Sequence, residues 1–267
     1  MFYFTYSWRK KLNFLNKNYA VISFIVLLYG CDNTPDRTLS PPQNAKWVDV
    51  VFTLPADTVL LPMEVLYRSN KCKTVRYNSS NEPHDIPGYN DFEKPFGQQG
   101  SSNIWWAHIA IDGGGKCQWQ LNSIKVSFKI ADSNPLVKRK EVLATNYIFD
   151  FDDYGFSDGY GTGRAKKVSG DLDIRTDFFP EIFISHKFKK TTLELFGGDT
   201  RHEKWSQRYR VNDIKTIVIN PVVHFNRVVI LEGPNQSPGN IIVTYPDSSK
   251  QKALYTEPDY EKLLSMK

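Results

Sequence analysis

The sequence predicts a mainly β protein of the antiparallel β-sandwich type, made of one large or two smaller packed β domains with a short C-terminal helix. Three observations support this fold class. Apolar and polar residues alternate over many short segments, glycine and proline separate these segments, and a helix is indicated only near the C-terminus. Such alternation is typical of strands with one buried face, and many short strands with regular turns are typical of sandwiches.

The first thirty residues have the pattern of an export signal. Four basic residues precede an apolar run, 19–29, that is too short to span a bilayer. The run ends in Leu28-Tyr29-Gly30-Cys31, which resembles the processing site of bacterial lipoprotein precursors. The resemblance implies that residues 1–30 are removed and that Cys31 becomes an acylated N-terminus carrying fatty acids such as palmitate. Several acyl chains on one residue would give stable anchoring. The alternative is an uncleaved apolar anchor with Cys31 as an ordinary thiol.

Lipoprotein processing would place the protein in the periplasm, anchored to a membrane. By the same resemblance, Asp32 after the acylated cysteine favours retention at the inner membrane, and anchoring in the outer membrane is the alternative. Residues 1–30 carry four of the positive charges in the net charge of +5, so the remainder carries only +1. Because nucleic-acid binding needs clustered positive charge, we expect no nucleic-acid partner and attribute membrane contact to the N-terminal lipid.

Residues 31–44 are predicted to be a lipidated tether, since they are polar, contain three prolines and have no apolar periodicity. We expect a disulfide-stapled β domain over residues 45–132 and a second β-rich domain over residues 133–267. The stretch around 132–140 is the expected boundary between them.

In the first half, Val48, Val50 and Phe52 share one face of a predicted strand. A second alternating run, 105–111, is followed by the turn Asp112-Gly-Gly-Gly115 and a further apolar run, which predicts a β-hairpin. The apolar positions of that further run change from odd to even numbers. This change predicts a bulge near Asn122-Ser123.

In the second half, alternation and turn residues predict six more strands and one helix. The strands are expected at 146–151, 181–188, 191–196, 214–223, 227–231 and 240–245. The helix is expected at 257–266, where Pro258 suits a first turn.

Cys72 and Cys117 remain once Cys31 is assigned to lipid. An even pair in an exported protein predicts a disulfide, worth about 4 kcal/mol from the loop that it would close. Two reduced thiols are the alternative in this pair. A metal site is disfavoured because neither cysteine has a Cys-x-x-Cys partner or a neighbouring histidine.

Motifs for catalysis are absent from the sequence. It has no Gly-x-Ser-x-Gly elbow, His-Glu-x-x-His pair or phosphate-binding loop, and its five histidines are scattered singly. We therefore expect neither enzyme activity nor a cofactor or metal. The aspartate- and glycine-rich segment 150–164 has roughly the spacing of a calcium loop, but Tyr154 and Gly161 occupy two ligand positions, which disfavours calcium. Its glycine spacing also differs from that of a nucleotide loop.

This segment is better interpreted as a protein-binding loop, because aromatic side chains beside carboxylates combine contact area with charge steering. A surface loop without a special role is the alternative. The expected partner-binding residues are Asp150, Asp152, Asp153, Tyr154, Phe156, Asp158 and Tyr160.

Two segments around the cysteines carry a second resemblance. They read Val65-Leu-Tyr-Arg-Ser-Asn-Lys-Cys72-Lys and Asp112-Gly-Gly-Gly-Lys-Cys117-Gln-Trp-Gln-Leu121. Together with the lipidation site, they are similar to periplasmic immunity lipoproteins encoded beside type VI secretion phospholipase effectors. The resemblance implies an inhibitor that binds a cognate phospholipase effector and protects the cell from lysis. A membrane anchor would raise the inhibitor's effective concentration where the lipase acts.

Two other functions remain open from the sequence. The first is a carbohydrate- or small-ligand-binding envelope lipoprotein, in which Trp105, Trp106 and Trp119 would form a stacking platform. The second is a structural scaffold of the envelope.

Overall fold

The computed structural model describes residues 35–152, 165–198, 206–236, 239–253 and 257–267, and residues 35–267 form one compact unit. A 3-10 turn at Pro135–Val137 and one helix, α1 (Tyr260–Leu264), accompany the strands. The strands are β1 (Trp47–Thr53), β2 (Thr58–Leu60), β3 (Met63–Tyr77), β4 (Pro83–Lys94), β5 (Gly97–Gln98), β6 (Ile104–Ala110), β7 (Asp112–Gly114), β8 (Trp119–Ile130), β9 (Glu141–Val142), β10 (Thr145–Asp150), β11 (Lys166–Ser169), β12 (Leu172–Ser185), β13 (Lys190–Gly197), β14 (Ser206–Asn212), β15 (Thr216–Val223), β16 (Val229–Glu232), β17 (Ile241–Thr244) and β18 (Lys250–Ala253).

These strands form two packed sheets, which confirms the predicted β-sandwich. The first sheet has the order β18-β17-β16-β12-β15-β1-β6-β5, with β13 and β9 joined through β12. The second has the order β11-β14-β10-β8-β3-β4, with β2 and β7 paired to β8. Both sheets are mixed, since β1 and β12 run parallel to β15 and β10 runs parallel to β14. The sequence did not indicate these parallel pairs because alternation does not encode strand direction.

The main core lies between the sheets. Aromatic rings from the two sheets meet there: Phe52 of β1 lies 5.4 Å from Phe128 of β8, and Phe178 of β12 lies 5.3 Å from Phe128 (ring centroids). The predicted inward residues Val48, Val50 and Phe52 are fully buried. Burial of large apolar side chains from both sheets is the main stabilising contribution to such a sandwich.

A smaller core covers the outer face of the first sheet at β12, β16 and β17. Its members include Phe179, Leu231 and Val243, and α1 contributes the fully buried Leu263. The helix begins after Asp259, whose side chain accepts a hydrogen bond from the backbone N–H of Lys262. The predicted C-terminal helix is therefore confirmed but is shorter than expected. It covers the smaller core with its one buried side chain, Leu263.

The predicted hairpin between residues 105–111 and the run after Lys116 is wrong. Strand β6 belongs to the first sheet and β8 to the second, so the chain crosses between the sheets after Ile111. Only the short β7 pairs with the start of β8, and the backbone N–H of Leu121 donates to the Ile111 carbonyl at 2.8 Å. The alternation and glycine turn were correctly located, but a turn does not determine whether the next strand pairs with the preceding one.

The predicted bulge is confirmed. Along β3 and β8, Leu66 pairs with Ser123 and the next residue, Tyr67, pairs with Leu121, so Asn122 is the extra residue. Because of this insertion, Trp119 and Leu121 can be buried together with Ile124.

The expected boundary near residues 132–140 falls inside one compact unit. Both sheets contain strands from both halves, and the two halves pair directly: β1 pairs with β15 in the first sheet, and β8 pairs with β10 in the second. Of the two alternatives, one large domain is the arrangement that the strand pairing supports.

Part of the predicted tether is also bound to this domain. The Asp36 carbonyl accepts from Nε1 of Trp119 at 3.0 Å, and the Arg37 carbonyl accepts from Nδ2 of Asn90 at 2.8 Å. Ser40 pairs with Gly114 in an isolated bridge, where a Cβ on Gly114 would lie 2.2 Å from the Ser40 carbonyl oxygen. The glycines of the 112–115 turn thus allow the N-terminal segment to approach closely.

Candidate functional site

The predicted partner-binding loop is only partly within the described residues. Asp153, Tyr154, Phe156, Asp158 and Tyr160 lie outside them.

The two described residues of the loop are held by the domain. Asp150 is 4% exposed, and its Oδ2 lies 3.5 Å from Nε of Arg208 in a buried ion pair. The carboxylate of Asp150 therefore balances an internal charge, and the contact of Asp150 with a partner stays a prediction. Asp152 accepts a hydrogen bond from Nδ2 of Asn122, the bulge residue of β8. Both residues fix the start of the loop to the sheet.

Cys72 and Cys117 form the predicted disulfide, with their Cα atoms 5.3 Å apart. Cys72 lies in a wide bulge of β3, where the pairing with β4 jumps from Ser69 to Lys73. The hydroxyl of Ser69 accepts from the backbone N–H of Cys72 at 2.8 Å and donates to the Cys117 carbonyl. A Cβ on Gly88 would lie 1.8 Å from the Cys72 carbonyl oxygen, so only glycine fits beneath this bulge.

Above this bulge, β3 and β4 continue as a two-stranded extension, which we call the ribbon: residues Lys73–Tyr77 paired with Pro83–Pro87. In the second sheet β3 pairs with β8 only from Glu64 to Arg68, so the ribbon extends past its neighbour. Two apolar ribbon side chains face solvent: Val75 is 54% exposed and Tyr77 is 65% exposed.

The tip of the ribbon is closed by a defined turn. The side-chain oxygen of Asn78 accepts from the backbone N–H groups of Ser80 and Glu82, both at 2.9 Å, and Asn81 has a positive φ of 60°. Asparagine tolerates that conformation better than most residues. The ribbon is thus fixed at both ends, by this turn and by the disulfide, and its exposed side chains are pre-positioned.

The proposed tryptophan platform is not formed. Trp119 is fully buried and Trp105 packs against the main core, whereas Trp106 is 50% exposed. Strand alternation separates Trp105 from Trp106, because neighbouring residues of β6 point to opposite faces.

A different aromatic group lies on the outer face of the first sheet. Trp47 of β1 stacks on His108 of β6, with ring centroids 4.4 Å apart and an interplanar angle of 5°. Nδ1 of His108 lies 2.5 Å from Oδ1 of Asp49, the residue directly opposite it in the sheet. The indole is 40% exposed. Asp49 therefore positions the imidazole, and the imidazole supports one face of the indole.

A cavity of about 410 Å³ lies beside Trp47 on the side away from β6. Its lining consists of Lys46, Trp47, Asp49, Asp213, Ile214 and Lys215. The backbone of this wall is fixed, since the Lys215 carbonyl accepts from the Asp49 N–H and Oδ1 of Asp171 accepts from the N–H groups of Lys215 and Thr216. These two backbone hydrogen bonds lower the pKa of the Asp171 carboxyl.

Only weak signals for these surfaces are present in the sequence. Val75 and Tyr77 are two residues apart in an otherwise polar stretch. Trp47 shares the polar face of β1 with Asp49. Large aromatic residues at polar-face positions were the available clue. The sequence does not indicate that residues 213–215 lie near Trp47, because only the parallel pairing of β1 with β15 brings them together.

In the described part of the chain, no group of three or more histidine, cysteine, aspartate or glutamate residues is arranged to hold a metal ion. Across the same residues no helix has the length and apolar character needed to cross a membrane. Cys31 lies outside the described residues.

Comparison of the chain with protein-family models, curated proteins and solved structures found no match.

Proposed function

We propose that this protein is a periplasmic immunity lipoprotein that binds and inhibits a phospholipase effector delivered into the periplasm. The ribbon is the observation that supports an inhibitor best. It carries Val75 and Tyr77 exposed on a backbone that is already paired and closed at its base by the disulfide. A pre-positioned contact surface loses little conformational entropy on binding, which favours tight association.

The chemistry of the ribbon also fits a protein partner. Exposed tyrosine offers large contact area with few rotatable bonds, and Lys73, Arg76 and Asp85 give the ribbon exposed charges of both signs. A narrow two-stranded extension can enter a cleft that a flat sheet cannot. The segments that resemble immunity lipoproteins include both cysteines, and these lie at the base of the ribbon.

The proposal predicts that a phospholipase gene lies beside the gene of this protein, and the product of that gene provides the test. We expect the protein to form a one-to-one complex with it and to block phospholipid hydrolysis. Replacing Val75→Ala and Tyr77→Ala together should weaken the complex at least about tenfold, because truncation of central contact residues commonly costs that much. Titration calorimetry and a vesicle-hydrolysis assay measure the two effects.

Phe188 supplies the matched control. It is 73% exposed in the turn between β12 and β13, outside the ribbon, so Phe188→Ala should leave affinity unchanged. A second arm replaces Asp153→Ala and Tyr154→Ala in the predicted partner-binding loop. If these loop substitutions weaken lipase binding and the Val75 and Tyr77 substitutions do not, the interface lies in the loop and not in the ribbon. Absence of any complex with the lipase would reject the proposal.

A further inference from the structure

We infer that the cavity beside Trp47 is a binding site for a neutral saccharide of one or two pyranose rings. This inference does not depend on the proposed inhibitor function. It rests on the supported indole wall, the mixed charge of the cavity lining and the size of the cavity.

The indole of Trp47 has one face available to a ligand. His108 covers the face toward β6, and the cavity lies on the opposite side of β1, against residues 213–215. Because the imidazole is hydrogen-bonded to Asp49, the indole is supported from behind in a defined orientation. An immobilised aromatic wall suits the flat C–H face of a pyranose ring, which packs on it as an apolar surface.

The charges around this wall select against charged ligands. Two lysines, Lys46 and Lys215, and two aspartates, Asp49 and Asp213, line the same cavity. A phosphate would meet both carboxylates, and a polyamine would meet both ammonium groups. Hydroxyl groups can donate to carboxylates and accept from ammonium groups, so a neutral polyol satisfies both sets at once.

The size of the cavity agrees with this ligand class. A volume of about 410 Å³ falls in the lower part of the range found for small-molecule pockets. The apolar part of the lining is limited to Trp47 and Ile214, which provides one stacking surface instead of an enclosed hydrophobic pocket. One ring on the indole with a second extending toward solvent fits that arrangement.

The experiment uses the full chain with maltose, cellobiose and N,N′-diacetylchitobiose as probes, followed by saturation-transfer NMR and tryptophan fluorescence. At least one disaccharide should bind the wild-type protein at millimolar concentration. Trp47→Ala should weaken that binding at least about tenfold, while Trp47→Phe should retain part of it. Trp106→Ala is the matched control, since this exposed tryptophan of the same sheet face does not line the cavity.

Inorganic phosphate and spermidine serve as charged probes and should not bind. The inference fails if none of the three disaccharides binds, if binding survives Trp47→Ala, or if a charged probe binds in a Trp47-dependent manner. Circular dichroism of Trp47→Ala checks folding, and the Trp47→Phe variant keeps the test valid if the alanine variant unfolds. Cosedimentation with chitin or peptidoglycan distinguishes a polysaccharide source from a free sugar.

Discussion

At the scale of single residues, Asp177 of β12 connects three distant parts of the chain. Its Oδ1 lies 2.7 Å from Nε2 of His224, its Oδ2 accepts from Nζ of Lys267 at 3.0 Å, and its backbone carbonyl accepts from the Tyr260 hydroxyl at 2.9 Å. The imidazole also stacks on Phe179 of the smaller core. The histidine that looked isolated in the sequence therefore belongs to a polar cluster that holds the C-terminal region against β12.

This cluster predicts a dependence of stability on pH. Burial alone would raise the pKa of Asp177, but the hydrogen bonds and charges of His224 and Lys267 outweigh it and lower the pKa. A carboxyl with a lowered folded pKa stabilises the fold fully above its unfolded pKa of about 3.9, and this contribution is lost as the pH falls through the folded pKa. The difference in unfolding free energy between wild type and Asp177→Asn should therefore shrink between about pH 5 and pH 3.

Urea unfolding across that pH range measures the difference. Lys267→Met should move the loss of stability to higher pH, because it removes one of the two partners that lower the Asp177 pKa. A gap between wild type and Asp177→Asn that stays constant with pH would contradict the assignment.

At the scale of elements, the ribbon explains why sequence patterns identified some strands and missed others. Strands β1, β10 and β15 have one buried face, and their alternation located them. The ribbon is exposed on both faces over most of its length, so its sequence carries no apolar alternation, and Pro83 and Pro87 are residues that central strands seldom contain.

The candidate sites likewise divide into those that the sequence predicts and those that it does not. The disulfide could be predicted because two cysteines remain after the predicted export signal and lipidation site, and an even pair of cysteines in an exported protein is typically bridged. The bulge at Asn122 could be predicted because a bulge changes the parity of buried positions. The cavity beside Trp47 could not, since its two walls are far apart in sequence and meet only through parallel strand pairing.

The disulfide is expected to stabilise the element from which the ribbon extends. Because Cys72 and Cys117 are 45 residues apart, replacing both by serine should lower the unfolding free energy by about 4 kcal/mol through the added entropy of the unfolded chain. Cys72→Ser alone should cost a similar amount, since either change removes the same bond. Denaturant midpoints under non-reducing conditions measure this loss, and a double variant as stable as wild type would show that the bond is dispensable.

At the scale of the whole molecule, the first described residues of the chain are bound at the base of the ribbon. Asp36 is held by Trp119, the second residue after Cys117 in the sequence. Five chain steps separate Cys31 from Asp36, which limits their distance to about 19 Å even when fully extended. If Cys31 is acylated, we therefore expect the Cys72–Cys117 disulfide to lie near the membrane surface, where a phospholipase meets its substrate.

The anchor is then expected to contribute through local concentration and not through affinity. Cys31→Ser, exported with an ordinary signal peptide, should bind the lipase in solution as tightly as the domain itself but protect lipase-challenged cells less at equal periplasmic level. Membrane fractionation, survival and mass spectrometry of the N-terminus measure these effects. A cytoplasmic copy lacking residues 1–31 should give no protection, because the lipase and the inhibitor would occupy different compartments. Equal protection by that copy, or an unmodified Cys31 thiol in the wild-type protein, would contradict the lipoprotein assignment and leave the ribbon to act without an anchor.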